Sequence, residues 1–192
     1  MEFKELLEKR FSSRTYTSRR VSEEAIEEIL LAIESAPSAG NLQSYRVVIV
    51  RDVELRQKLA EASRNQLWMV KAPIHLVFFA DIDQYQSKFA EHLIEVTPLQ
   101  DATIAMAYAQ LAAANLGLGT CWVASHAWDT AQEILELEGN LILAGILAVG
   151  YTNENQGKRK RRGPEHWAIE ISIVEEEDEE DESVSDNGEM DV

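Results

Sequence analysis

Between Leu99 and Leu116 the chain passes through Ile104, Ala105, Tyr108, Ala109, Leu111, Ala112 and Leu116 at helical spacing, apolar on nearly every side. A helix without a polar face has no stable place at a surface, so this segment is expected to be central and buried. Gly117 comes next and ends it. The rest of the chain alternates between helix and strand signals. Phe3, Leu6, Leu7 and Arg10 follow a helical period, and Ser22 caps a second helix with Ile26, Ile29, Leu30 and Ile33 on one face. A further helix is expected from Val53 to Ala62 and another from Asp129 to Leu137. Arg46–Val50, Ile74–Ala80 behind Pro73, Thr120–Ala124 and Leu141–Val149 read as strands, the first two of buried type. The pattern predicts a single α+β domain over residues 1–174, without internal repeats.

Charge separates that domain from the C-terminal tail. The net charge is −16, but eleven carboxylates and no Lys or Arg fall in EEEDEEDESVSDNGEMDV, residues 175–192, which leaves about −5 for the body. So acidic and apolar-poor a tail cannot offset its own ordering entropy and is expected to be disordered. A compact basic run, Lys158 to Arg162, precedes Gly163-Pro164. Five cations beside eleven tail carboxylates make a poor footprint for nucleic acid, so no nucleic-acid partner is expected. The single cysteine, Cys121, excludes an internal disulfide, and beside Trp122 in a strand it reads as a core thiol, not a nucleophile. His75, His92, His126 and His166 show no ligand spacing, so no metal is expected. The absence of a long apolar run or an apolar leader predicts neither membrane attachment nor export, and a cytoplasmic location.

Two polar clusters carry chemistry. Ala36–Gln43, APSAGNLQ, joins a helix to a strand with small residues that let a backbone approach a ligand, while Ser38, Asn41 and Gln43 supply polar groups. The same residues also suit an ordinary turn. In KRFSSRTY, Arg10, Ser12 and Arg14 place two guanidinium groups and a hydroxyl where they could converge on a dianion. They could equally be cations set against a helix C-terminus.

Taken in order, RFSSR, APSAGNLQ, LGLGTCWVAS and KRKRRGP resemble the nitroreductase family of FMN-dependent oxidoreductases, over about residues 2–174. The resemblance implies an α+β fold with a central, mostly antiparallel sheet flanked by helices, a long buried helix and a homodimer. Arg10 and Ser12 would hold the FMN phosphate, and Arg14 would lie nearer the pyrimidine end, where its charge favours the reduced, anionic flavin. Pro37, Ser38, Ala39 and Asn41 would cover the flavin of the partner subunit, with Gln43 either joining them or bracing the loop. Ala124 and Ser125 would meet the reactive edge of the ring, Gly117 and Gly119 would shape the turn leading there, and Lys160 and Arg162 would clamp the phosphate a second time. No side chain is expected to be catalytic, because the cofactor carries the chemistry: a ping-pong transfer from NADH or NADPH through FMN to a nitroaromatic, quinone or similar acceptor.

Two departures stand out. The family commonly follows the loop Gln with Pro and Trp, whereas Ser44 and Tyr45 stand here, which predicts a less rigid start to the strand. Asp81–Pro98, which in such proteins helps roof the substrate, is short, implying an open site or a small substrate. The alternative from a different class is a non-catalytic flavin-fold dimer that binds basic partners through its acidic tail.

Overall fold

The structure, a computed structural model, describes residues 2–89, 93–94, 96–124, 130–155 and 160–171. Its sheet contains β1 (Tyr45–Val50), β2 (Ile74–Asp81), β3 (Gly119–Val123) and β4 (Leu141–Gly150) in the spatial order β1-β2-β4-β3. Every neighbouring pair is antiparallel. All eight residues of β2 are buried, as a continuous apolar run requires of a strand covered on both faces. Between β2 and β4 the register slips at Phe78/Phe79. Close by, Gly145 leaves room for the Met106 side chain and the Trp122 indole, which a Cβ would strike.

The helices are α1 (Phe3–Lys9), α2 (Glu23–Glu34), α3 (Val53–Ala62), α4 (Ile82–Gln86), α5 (Val96–Asn115) and α6 (Thr130–Ile134). Two hydrophobic layers sandwich the sheet. On one face Ile26, Ile29 and Ile33 of α2 and Ala102, Ala105, Met106, Ala109 and Ala113 of α5 meet Leu76, Phe78, Leu147 and Val149. On the other, Leu59 and Ala60 of α3, Met69 and Ala131 meet Val77, Phe79, Leu143 and Ile146. Helix starts follow local chemistry: Ser22 accepts from the Ala25 N–H at 3.2 Å, and Asp52 from the Leu55 N–H at 2.9 Å. Helix α5 ends in a Schellman motif, with Gly117 at φ 75°, Leu118 N–H bonded to the Ala113 carbonyl and Gly117 N–H to that of Ala114.

The expected elements are present with small shifts in their ends. Helix α5 buries its alanine face on the sheet, while Ile104 and Tyr108 on its opposite side remain 36% and 38% exposed. A helix apolar on every side thus meets the sheet with one face and keeps an uncovered apolar stripe on the other. Contacts divide the chain into Met1–Gln156 and Gly157–Val192. The expected boundary at 174 and the acidic tail lie outside the described residues, and so does Asp129, the expected start of α6. In the C-terminal unit, a 3-10 turn spans Pro164–His166 and the Trp167 indole N–H reaches the Arg162 carbonyl at 3.4 Å.

His75 of β2 is wholly buried, with Nε2 donating to the Met69 carbonyl at 3.0 Å and Nδ1 without a hydrogen-bond partner among the described residues. Burial pulls its pKa from 6.5 down to about 4, the Met69 carbonyl opposing the shift and the Arg56 charge adding to it. The unfolded chain therefore takes up this proton first. Stability is complete above pH 6.5 and is lost as the pH falls toward 4, by up to about 3 kcal/mol at 1.36 kcal/mol per unit. His75→Gln, which keeps a donor for Met69, should flatten urea-unfolding stability between those pH values relative to wild type. Parallel pH profiles for the two proteins would contradict this.

Candidate active site

Three separated pieces of sequence meet at one corner of the sheet. After α1 the chain extends past the start of β3, where Ser12 bridges Thr120 in parallel and Ser13 N–H donates to the Thr120 carbonyl at 2.8 Å. Lys9, Arg10 and Phe11 from this segment, Ala114 and Gly117–Thr120 from the α5–β3 turn, and Thr152 and Glu154 beyond β4 line a cavity of about 210 Å³. Gly119 keeps it open, since a Cβ there would lie 2.6 Å from Thr152 Cγ2 and 3.1 Å from Ser13 Cβ. The volume is below the roughly 300–1,000 Å³ of whole small-molecule sites, and suits a phosphate-sized group at the end of a longer ligand. Ser12 and Arg14 flank the cavity without lining it. The Arg14 guanidinium lies 5.8 Å from the centroid of the Trp68 ring, itself stacked on Tyr16.

Glu154 organises this corner, and nothing in its sequence context pointed to it. One carboxylate oxygen accepts from Ser13 Oγ at 3.0 Å, Arg14 N at 2.9 Å, Thr15 N at 3.2 Å and Thr15 Oγ1 at 3.1 Å. Two successive backbone N–H groups and two hydroxyls form an anion-holding nest, filled by the chain's own carboxylate. Those bonds, led by the Arg14 N–H, lower the Glu154 pKa. The two adjacent serines thus differ: Ser13 is fully buried and committed to Thr152 and Glu154, whereas Ser12 is half-buried.

The second cluster lies elsewhere. In APSAGNLQ, Ala39–Asn41 form a 3-10 turn, and Gly40, Asn41 and Gln43 have φ of 54°, 56° and 48°. A non-glycine residue in this left-handed region costs about 1–3 kcal/mol. A Cβ at Gly40 would come 2.6 Å from Cζ at the tip of the exposed Phe89 ring, which would have to move aside. Gln43 braces the loop: its N–H donates to Ser38 Oγ at 2.9 Å and its Nε2 to Asn41 Oδ1 at 2.7 Å. Pro37 and Asn41 are exposed. At the start of β1, where a less rigid entry is expected, Ser44 is wholly buried and donates to Asp101 Oδ2 at 2.8 Å. Tyr45 Oη adds a bond to the Ile33 carbonyl at 3.1 Å.

Loop and cavity occupy diagonally opposite corners. The loop leads into β1 at Tyr45, whose register runs through Ala80 to Ile142, whereas the cavity abuts Gly119, paired with Gly150. With about 3.3 Å per residue along β4 and about 4.8 Å per strand across the sheet, the two lie roughly 25–30 Å apart. One chain therefore does not bring Arg10 and Ser12 to Pro37–Asn41. Ala124, at the far end of β3, stands about 13 Å along the strand from Thr120, a separation that suits an extended ligand lying along β3. Ser125 lies outside the described residues, and the exposed Lys160 and Arg162 belong to the C-terminal unit, described by itself.

Residues 7–151 match the profile of the Nitroreductase family, three-quarters of the chain. The chain belongs to the nitroreductase family. It is 31% identical over 163 residues to an FMN reductase (NAD(P)H) of Bacillus subtilis, covering 78% of this chain and 66%, about two-thirds, of that protein. A putative NADH dehydrogenase/NAD(P)H nitroreductase of Archaeoglobus fulgidus is 30% identical over 151 residues, 77% of this chain and 83% of the relative. The structure of B. megaterium NfrA2 superimposes with a TM-score of 0.82 at 27% identity, covering 90% of this chain and 75% of that one. The expected family and its α+β fold are thus borne out in this chain.

A larger cavity of about 390 Å³ lies beside Arg20, Arg51 and Arg56, but Arg51 is paired with Glu23 at 2.6 Å and Arg56 donates to the Ala72 carbonyl at 2.6 Å. Cys121 is buried, and burial raises its pKa, against any role as a nucleophile. Among the described residues no group of His, Cys, Asp or Glu could hold a metal, and no helix is long and apolar enough to cross a membrane. The expected substrate roof includes α4, with Tyr85 and Phe89 ring centroids 5.0 Å apart, but residues 90–92 and 95 lie outside the described residues. Gly119→Ala should destabilise the protein by about 1–3 kcal/mol through overpacking at the cavity wall. An unchanged midpoint of denaturant unfolding would show that Thr152 and Ser13 yield freely.

Proposed function

We propose that this member of the nitroreductase family is an FMN-dependent NAD(P)H oxidoreductase acting as a homodimer, each flavin held by the cavity corner of one chain and the APSAGNLQ loop of the other. The observation that carries the proposal is the meeting of RFSSR, LGLGT and Thr152–Glu154 around one small cavity, with Ala124 further along the same strand. The residues suit the cofactor: Lys9 and Arg10 supply charge for a phosphate, Gly119 leaves the room, and β3 provides an edge for the ring to follow. When bound, FMN accepts a hydride from NADH or NADPH and returns two electrons to a second substrate.

The chain's own residues then bind and orient. Arg10 and Ser12 hold the phosphate, and Arg14 sets positive charge toward the ring. Ala124 and Ser125 present the backbone at its reactive edge. Pro37, Ser38, Ala39 and Asn41 of the second chain cover the ring and exclude water. A dimer would also account for two features of the single chain: the diagonal separation of its half-sites, and the exposed apolar residues Ile104 and Tyr108 on α5 and Phe3 and Leu7 on α1, a helix that contacts it. Nicotinamide and acceptor take turns in one slot, the acceptor being a nitroaromatic, quinone or similar compound.

The purified protein should be yellow and lose its flavin absorbance on addition of NADH or NADPH, with colour restored by a nitroaromatic or quinone. A colourless protein that ignores added FMN would overturn the reading. Arg10→Ala should raise the FMN dissociation constant about 10- to 100-fold, as loss of hydrogen bonds to a charged group worth about 1.5–3 kcal/mol. Tyr108→Glu should shift the protein toward monomer in sedimentation and lower flavin occupancy with it. A variant that stays dimeric and fully yellow would remove α5 from the interface.

A further inference from the structure

Helix α5 carries one carboxylate on its buried stripe, Asp101, which shares a face with Ala105 and Ala109 and is 3% exposed. Its two oxygens are used separately. Oδ1 accepts from the Ala39 N–H at 3.0 Å, and Oδ2 accepts from the Ser44 hydroxyl at 2.8 Å. Ala39 and Ser44 bracket the part of the loop that contains Gly40, Asn41 and Gln43, all left-handed. Ser44 in turn accepts from the Asp81 N–H at 3.0 Å through its carbonyl, so the same residue ties Asp101 to the end of β2. No ion pair reaches Asp101 among the described residues. A buried carboxylate without a cation is costly, and a strained loop persists only where its surroundings over-determine it.

We propose that Asp101 is a positioning residue for the flavin: it fixes both ends of the Ala39–Ser44 segment to the interface helix and so sets how that loop lies over the partner's cofactor. The inference rests on the proposed function. It makes α5 the common element of both half-sites, since the turn ending the helix lines the cavity while its first half holds the covering loop. Gln84, donating to the Leu42 carbonyl at 2.9 Å, supports the loop from its other side. Asp101 touches no cofactor and acts through Ala39 and Ser44.

The test compares full-length Asp101→Ala, Asp101→Asn and Ser44→Ala with wild type. Asparagine can offer its oxygen to the Ala39 N–H and its amide to the Ser44 hydroxyl, which then accepts, so both bonds survive without the charge. Asp101→Ala should raise the FMN dissociation constant about tenfold or more and shift the absorbance maxima of the bound flavin. Asparagine should return both to within about threefold of wild type, and Ser44→Ala should fall between. A merely structural role would lower the melting temperature while leaving affinity and spectrum unchanged well below it, and that result overturns the proposal. Should Asp101→Ala fail to fold, unaltered affinity and spectrum in Ser44→Ala would overturn it equally. Wild type without FMN affinity would instead defeat the functional reading, and with it the flavin role. Hydrogen exchange at the Ala39 amide, measured without flavin, tells the two failures apart, because the clamp alone predicts protection in wild type and rapid exchange in Asp101→Ala.

Discussion

The alanine face of α5 lying against the sheet is the contact on which the rest of this chain is arranged. Ala102, Ala105, Ala109 and Ala113 are all but inaccessible, and small side chains let the helix axis approach the strands closely. Helix α5 touches all four strands as well as α1, α2 and the turn at Ala39–Asn41. Its N-terminal half therefore sets the position of the loop, its C-terminal Schellman turn sets the cavity, and its outer stripe of Ile104 and Tyr108 is left for another surface. An added methylene on the inner face would propagate to every one of these, because close-packed interiors transmit strain instead of absorbing it.

A sheet crossed in this way imposes a geometric condition on the proposed chemistry. The cavity at Gly119 and the loop before Tyr45 stand at opposite corners, and no loop motion of ordinary amplitude closes roughly 25–30 Å of intervening sheet. A two-fold pair in which the first corner of one chain meets the second corner of the other would satisfy the condition twice over, because an isologous contact repeats the same pairing in reverse. In the proposed dimer, flavin affinity and dimerisation would be one equilibrium seen from two sides, and a substitution on the outer stripe of α5 would act on cofactor retention through association.

Much of the fold was legible because its signals are local and periodic. Ser22 and Gly117 are a cap and a stop whose chemistry does not depend on the rest of the chain, and β2 reads as a buried strand from its uninterrupted apolar run. Two residues of the site were not legible for the opposite reason. Glu154 matters through bonds to Ser13, Arg14 and Thr15, about 140 positions away, and a lone Glu after a strand carries no signal of that. Asp101 left a trace, a carboxylate on an otherwise apolar helix face, but its partners Ala39 and Ser44 become evident only once the helix is laid beside the loop. Ser44 shows the same limit: as a substitute for proline it reads as a loss of rigidity, and in the fold it is a hydroxyl buried on a carboxylate.

The occupied nest at Ser13–Thr15 narrows how a phosphate could be held. Had those two N–H groups and two hydroxyls been open, they would be the natural anion site of the corner. Glu154 fills them, and its lowered pKa means that the carboxylate remains charged throughout the neutral range. A dianion brought to the cavity therefore meets like charge from the carboxylate and opposite charge from Lys9 and Arg10. In the proposed site Arg10 would have to offset Glu154 as well as hold the phosphate, and removal of its charge would leave only Lys9, among the cavity's lining residues, to oppose the carboxylate. The nest is then the means by which the Arg-x-Ser-x-Arg turn is held in shape, and ligand charge falls to the residues on either side of it.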